Sequence, residues 1–202
     1  MNLIFTRHGE SQANIEGIIS NRDLPYPLTA KGRAQAIALV EQLAADNIIA
    51  IYASPILRAQ QTAQLISEWL NLSFTTHDAL REFDCGMMEG QGNAAAWAAH
   101  EAVVAAWASD DYTQHIPGGE SFVDMQTRFV PFVNQLVSQY AHSMGTVLLI
   151  SHGSLLHHML PLVLRNIDAA FVKQHHLRNC ACVRGLVTPD GITCNAWDNH
   201  QL

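Results

Sequence analysis

The rhythm of apolar residues constrains this chain more than any other feature. Three short runs, Leu3–Phe5, Ile48–Ala53 and Val147–Ile150, each precede a stretch with helical spacing. The helical stretches cover Leu28–Ala45, opening through Thr29, then Pro55–Leu70 with proline in the first turn, and about Ser154 to Leu164. Runs this short and this apolar suit strands buried on both faces. Strands that alternate with helices form parallel sheets, because the crossover helices cover both faces. Near the C-terminus, Ala181–Val187 and Ile192–Trp197 flank Pro189-Asp190-Gly191, which predicts a hairpin. The expected fold is α/β: a three-layer α/β/α sandwich whose mostly parallel sheet has an antiparallel edge strand.

With 202 residues, 49% of them hydrophobic, the chain suits a single domain over 1–202 with one large core. Gly90–Pro117 breaks the rhythm, being rich in Ala and Trp and lacking a strand pattern. It reads as a helical insertion or lid over about 90–117, ending at Pro117-Gly118-Gly119. Ser121 and Asp124 then make a capping box for a helix to about His142. A net charge of −7 argues against nucleic acid and anionic membranes as partners. No apolar run reaches membrane-spanning length, and the run before Arg7 is too short for a signal peptide, so a cytoplasmic location is expected. The four cysteines form no CxxC pair and no zinc spacing, and read as free thiols. Eight of the eighteen acidic residues lie between Glu82 and Asp124, and none of the eleven Lys and Arg does.

Open α/β sheets bind ligands beyond the carboxyl ends of their strands. Here the three runs end in Thr6-Arg7-His8-Gly9-Glu10-Ser11, Ser54-Pro55-Ile56-Leu57-Arg58 and Ser151-His152-Gly153. Arg7, His8, Arg58 and His152 are therefore expected at one sheet edge. Two histidines suggest a metal, but two guanidiniums beside them would repel a divalent cation, and no HExxH or carboxylate cluster accompanies them. The same guanidiniums match phosphate oxygens two at a time. Their permanent charge also disfavours imidazolium, which keeps His8 neutral and nucleophilic. Phosphoryl transfer on a small-molecule phosphate ester, with neither metal nor cofactor, is the expected chemistry.

These residues belong to a longer pattern. Arg7-His8-Gly9-Glu10-Ser11 with Asn14, Pro27-Leu28-Thr29 with Gly32 and Gln35-Ala36, and Ser54-Pro55 with Arg58-Ala59 and Gln61-Thr62-Ala63 come first. Leu80-Arg81-Glu82 with Gly86 and Glu89-Gly90, Gly118-Gly119-Glu120-Ser121, and Ser151-His152-Gly153 follow in order. Together they resemble the histidine phosphatase (phosphoglycerate mutase-like) superfamily over residues 3 to about 155. The resemblance implies a phosphohistidine on His8. It implies phosphate contacts from Arg7, Asn14, Arg58 and His152, and a proton donor and base at Glu82. Asp84 and Glu89 are rival proton donors on spacing alone. Many phosphatase members carry Gln-Gly twelve residues after the nucleophile. Ser20-Asn21 stands here, and Pro27 comes one residue late, so specificity does not carry over for the loop Ser20, Asn21 and Arg22.

Mutase members of such a family carry longer, basic insertions, whereas this one is short and lacks Lys and Arg. A phosphatase is favoured, acting on a monophosphate whose remainder is neutral, apolar or cationic; acidic residues near the mouth would repel a second anion. Mutase-type transfer and a non-catalytic phosphate-binding module are the alternatives. Sugar phosphates, phosphoserine, a nucleotide-loop intermediate of cobalamin synthesis and general phosphate scavenging are all open as substrates. His157-His158 and His175-His176 read as structural or surface pairs, Trp97 and Trp107 as core anchors in preference to a substrate wall, and Cys85 as a small buried side chain. A terminal edge strand offers a surface for a homodimer.

Overall fold

The computed structural model describes residues 1–202, and the apolar runs form the centre of its sheet. β1 (Asn2–Arg7) is followed by α1 (Gln12–Glu16), α2 (Ala30–Leu43), β2 (Ile48–Ala53), α3 (Leu57–Leu70) and β3 (Phe74–Thr76). Two single 3-10 turns lead to α4 (Ala94–Trp107) and α5 (Phe122–Gln139). Then come β4 (Thr146–Ser151), α6 (Gly153–Val163), α7 (Ala169–Gln174), β5 (Cys182–Thr188), β6 (Gly191–Trp197) and β7 (His200–Gln201). The sheet order is β3-β2-β4-β1-β5-β6-β7. Its first four strands run parallel and the rest antiparallel.

The α/β sandwich with a mostly parallel sheet is thus the fold of this chain, with two differences of detail. The antiparallel side has three strands, because β7 adds to the two of the expected hairpin. At the opposite edge lies β3, three residues that no alternation marks. Helix ends also shift. α3 begins at Leu57 because the Ser54 hydroxyl accepts the Ile56 N–H (3.2 Å) and holds Ile56 extended as its N-cap. α5 stops at Gln139, short of His142.

The central strands are buried on both faces, and their side chains alternate between two clusters with the period of two that the pleat imposes. Leu3, Phe5, Val147 and Leu149 face a cluster completed by Met125, Phe129 and Val133 of α5 and Leu155, Leu156 and Met159 of α6. Ile4, Ile51, Leu148 and Ile150 face the other way, onto Ala36 and Leu39 of α2 and Ala59, Ala63 and Ile66 of α3. Each fully buried Leu, Ile or Phe contributes roughly 1.5–3 kcal/mol. A slip of one residue in β1 or β4 would reverse every one of these assignments. The segment 90–117 joins the first cluster through Ala96, Val103 and Trp107 of α4. No helix is long and apolar enough to cross a membrane.

Candidate active site

Strand register alone brings the two candidate histidines together. β1 and β4 pair in parallel with Arg7 opposite Ser151, so His8 and His152 leave the sheet side by side. The His8 N–H donates to Ser151 O (3.0 Å) and the Ser54 N–H to Ile150 O (2.9 Å), which brings the end of β2 to the same place. The two imidazole centroids lie 5.0 Å apart. Arg58, in the first turn of α3, reaches back from β2 to His8.

Hydrogen bonds fix the proton on each ring. His8 Nδ1 lies 2.6 Å from Gly9 O, a carbonyl that can only accept, so Nδ1 carries the hydrogen. His8 Nε2 is then a lone pair, and it accepts from Arg58 Nε at 2.9 Å. His152 Nε2 lies 2.8 Å from Ser54 Oγ, which already accepts from Ile56. If the hydroxyl donates to Nε2, its hydrogen has an acceptor and the ring proton sits on Nδ1. The reverse arrangement strands both the hydroxyl hydrogen and an Nδ1 lone pair. His152 Nδ1 is buried and has no partner, as is Arg7 Nε.

Both imidazoles are held well below the ordinary histidine pKa, first by burial and then by Arg58. Arg7 adds to this for both rings, and His8 acts on His152. Burial brings even Arg58 down to about 10, with Arg7 adding and Glu82 opposing. Burial would penalise a charge of either sign, and it is the two guanidiniums, Arg7 and Arg58, that favour an anion here.

These groups line one cavity of about 360 Å³, at the small end of the roughly 300–1,000 Å³ typical of ligand pockets. Arg7, His8, Asn14, Ser20, Asn21, Arg58 and Glu82 are on its wall. His152 lies directly behind His8, fully buried. Glu82 is the one carboxylate there, and it crosses to the start of α6 to accept from Ser154 N (2.8 Å) and Leu155 N (2.7 Å). The rival proton donors are engaged elsewhere: Asp84 pairs with Arg22 (2.8 Å), and Glu89 accepts from Cys85 N (2.9 Å) and Asn21 N (2.7 Å). Asn14 sits on the rim, its Oδ1 accepting from Ser11 N (3.0 Å) in a capping box and its amide nitrogen free of protein partners. Ser20 Oγ is buried without a partner.

Three expectations change. Arg22 does not line the cavity, since Asp84 and Gly118 O take its guanidinium outside. The mouth is not acidic, because Glu120 pairs with Arg128, Asp124 caps α5, and Glu82 alone of the eight faces the cavity. His157, His158, His176 and Trp97 are cavity walls rather than surface pairs or core; Trp107 alone of the two tryptophans is core, at 3% exposure. The spacing carried a signal for these. Trp97, His100 and Val104 at i, i+3 and i+7 share one face of α4, and His157 stands one helical turn past Gly153. Which face meets a cavity is not encoded in periodicity.

Comparison with known proteins bears on the family and the fold. The sequence pattern of the histidine phosphatase superfamily (branch 1) matches residues 3–200. A protein of Hydrogenobacter thermophilus provisionally named phosphoserine phosphatase 2 is 31% identical over 161 residues, 80% of this chain and 77% of that one. A Proteus mirabilis protein provisionally named phosphoglycerate mutase GpmB is 31% identical over 197 residues, 98% of this chain and 90% of its own. A mycobacterial glucosyl-3-phosphoglycerate phosphatase, solved as a complex with VO3, superposes with a TM-score of 0.82 at 27% identity over 98% of this chain and 99% of that one. On fold, on sequence and on the residues gathered at the sheet edge, the chain belongs to the histidine phosphatase superfamily, branch 1.

Proposed function

We propose that this chain is a metal-independent phosphatase that hydrolyses small phosphomonoesters through a phosphohistidine on His8, with Glu82 as proton donor and base. The observation that carries the reading is the His8 ring: neutral, its Nε2 lone pair directed at the Arg58 guanidinium and its Nδ1 proton held by Gly9 O. A phosphoryl group arriving at Arg58 takes over that guanidinium and frees Nε2 to attack. The substrate enters as its phosphate monoanion and passes its proton to Glu82; as the N–P bond forms and the ester P–O bond breaks, Glu82 delivers that proton to the leaving oxygen. Glu82 then takes a proton from water as the water oxygen attacks phosphorus, the N–P bond breaks, and neutral His8 returns. Arg7 Nε and His152 Nδ1, donors without partners, bind the oxygens on which charge develops. The Asn14 amide adds a rim contact, and Ser20 and Asn21 meet the substrate on the opposite side. Arg22 acts at a distance, by anchoring Asp84.

Mutase-type transfer is the second reading, favoured by the mutase name of the Proteus mirabilis relative. Against it, the cavity holds no Lys and no Arg beyond Arg7 and Arg58 to bind the second anionic group of a phosphoglycerate. A binding module without turnover would not need a nucleophile, a proton donor and two free anion donors in one place. Rapid quench with a 32P-labelled monoester tests the proposal. The expected result is an acid-labile phosphoryl group on the wild-type protein and none on His8→Ala. Turnover by His8→Ala, or 3-phosphoglycerate mutation faster than hydrolysis, would overturn it.

A further inference from the structure

Past its phosphate end the cavity continues between α4 and α6, and this outer half has a composition of its own. Its wall is made by Trp97, His100 and Val104 of α4, His157 and His158 of α6, and His176 after α7. None carries a fixed charge, and the carboxylate of Glu82 is held against the amides of α6. Burial pushes His100, His157 and His158 below the ordinary histidine range, His158 to about 3, and neighbouring imidazoles add to this for His157 and His158.

The rings are also locked in place. The Trp97 indole N–H donates to Gly17 O at 2.8 Å, which ties α4 to the loop after the nucleophile. His100 packs on Phe83 with centroids 5.1 Å apart, and His158 stands edge-on to Trp107 at 5.2 Å. His157 lies nearly parallel to His176, at 5.6 Å and 15°. Side chains already fixed lose little freedom when a ligand arrives, so the wall is pre-organised. It offers flat faces for stacking and, at His100, His157 and His158, imidazoles that each present one donor and one acceptor.

Resting on the phosphatase reading above for the anchored group, we infer that this wall is the leaving-group subsite and selects an uncharged, ring-bearing alcohol with hydrogen-bonding groups. A heteroaromatic nucleoside and a sugar both have that chemistry. A second phosphate or a carboxylate finds no cation here, and a quaternary ammonium meets a wall with one indole whose burial already disfavours positive charge on its histidines.

Equilibrium binding at pH 7.5 to the His8→Ala protein, which holds esters without turning them over, tests the selection. The ligands are inorganic phosphate, adenosine 5′-monophosphate, glucose 1-phosphate, ethyl phosphate, 3-phosphoglycerate and phosphocholine. At least one of the two ring-bearing esters is expected to bind about tenfold tighter than each of the last three. Which of them does so separates the nucleoside from the sugar. Adding Trp97→Ala or His157→Ala is expected to erase that margin while the affinity for inorganic phosphate stays constant, a constancy that also reports a folded protein. Equal affinity for all esters, tighter 3-phosphoglycerate or phosphocholine, or a margin that survives both substitutions would overturn the subsite. The catalytic reading fails separately: ring selectivity without a trappable phosphohistidine on the wild-type protein would leave the subsite standing and remove the nucleophile.

Discussion

At the scale of single residues, Ser54 has a larger part than its position suggests. Its hydroxyl sets the His152 tautomer and leaves the proton on Nδ1, the atom that the proposed phosphate contact uses. Ser54→Ala is expected to lower kcat about fivefold, the effect of one buried hydrogen bond worth roughly 1 kcal/mol, with KM nearly unchanged. Ser54→Thr should restore most of it. Nitrogen-15 spectra of the His152 ring, mixed in tautomer for the alanine protein and single for the wild type, check the cause. Glu82→Gln should slow hydrolysis of alkyl phosphates by about 100- to 10,000-fold, yet slow p-nitrophenyl phosphate far less, because nitrophenolate departs without a proton. Equal losses on the two substrates would remove Glu82 from the acid role. Arg7, His8, Arg58 and His152 were legible in the sequence because strand ends in an α/β sheet must converge. Trp97 and His157 were not, since a helix has several faces and spacing alone does not tell which one meets a cavity.

At the scale of elements, the nucleophile loop is fixed by contact between two backbones. A Cβ on Gly9 would lie 2.4 Å from Gly32 O, and one on Gly32 would lie 1.9 Å from Glu10 O. The loop after β1 therefore rests directly on the start of α2, where Thr29 caps the helix by accepting Gly32 N (2.9 Å). Gly32→Ala must push these backbones apart. It is expected to cost about 1–3 kcal/mol, read as a lowered urea midpoint, and to reduce kcat because His8 moves with the loop. Unchanged midpoint and activity would mean that the contact is softer than its geometry. The central strands were readable because both faces are buried and every residue in β4 is apolar or small. β3, β7 and α7 were not: three, two and six residues are too few to show a period, and their places are set by the strands and helices they join.

At the scale of the whole molecule, two buried neutral imidazoles make folding sensitive to acid. In the unfolded chain both histidines take up protons near the ordinary value of 6.5, whereas in the folded protein they resist protonation to well below it. Below that value the unfolded state binds more protons, so the stability present at neutral pH falls as pH drops from about 6.5 toward the depressed folded values. Thermal unfolding followed from pH 8 to pH 5 should show this loss, and a double His8→Gln, His152→Gln protein should show a shallower one. Inorganic phosphate, as a ligand of the proposed site, should raise the melting temperature at every pH. The parallel pairing that sets Arg7 opposite Ser151 has a further outcome in time. During synthesis the first strand waits for β4 and β5, and His8 has no companion until some 140 residues later, when His152 emerges. A ribosome-bound fragment that ends before β4 lacks the pairing that sets His152 beside His8, and so does any proteolytic piece without that strand. Assembly of the paired-histidine site therefore waits until β4 has left the ribosome.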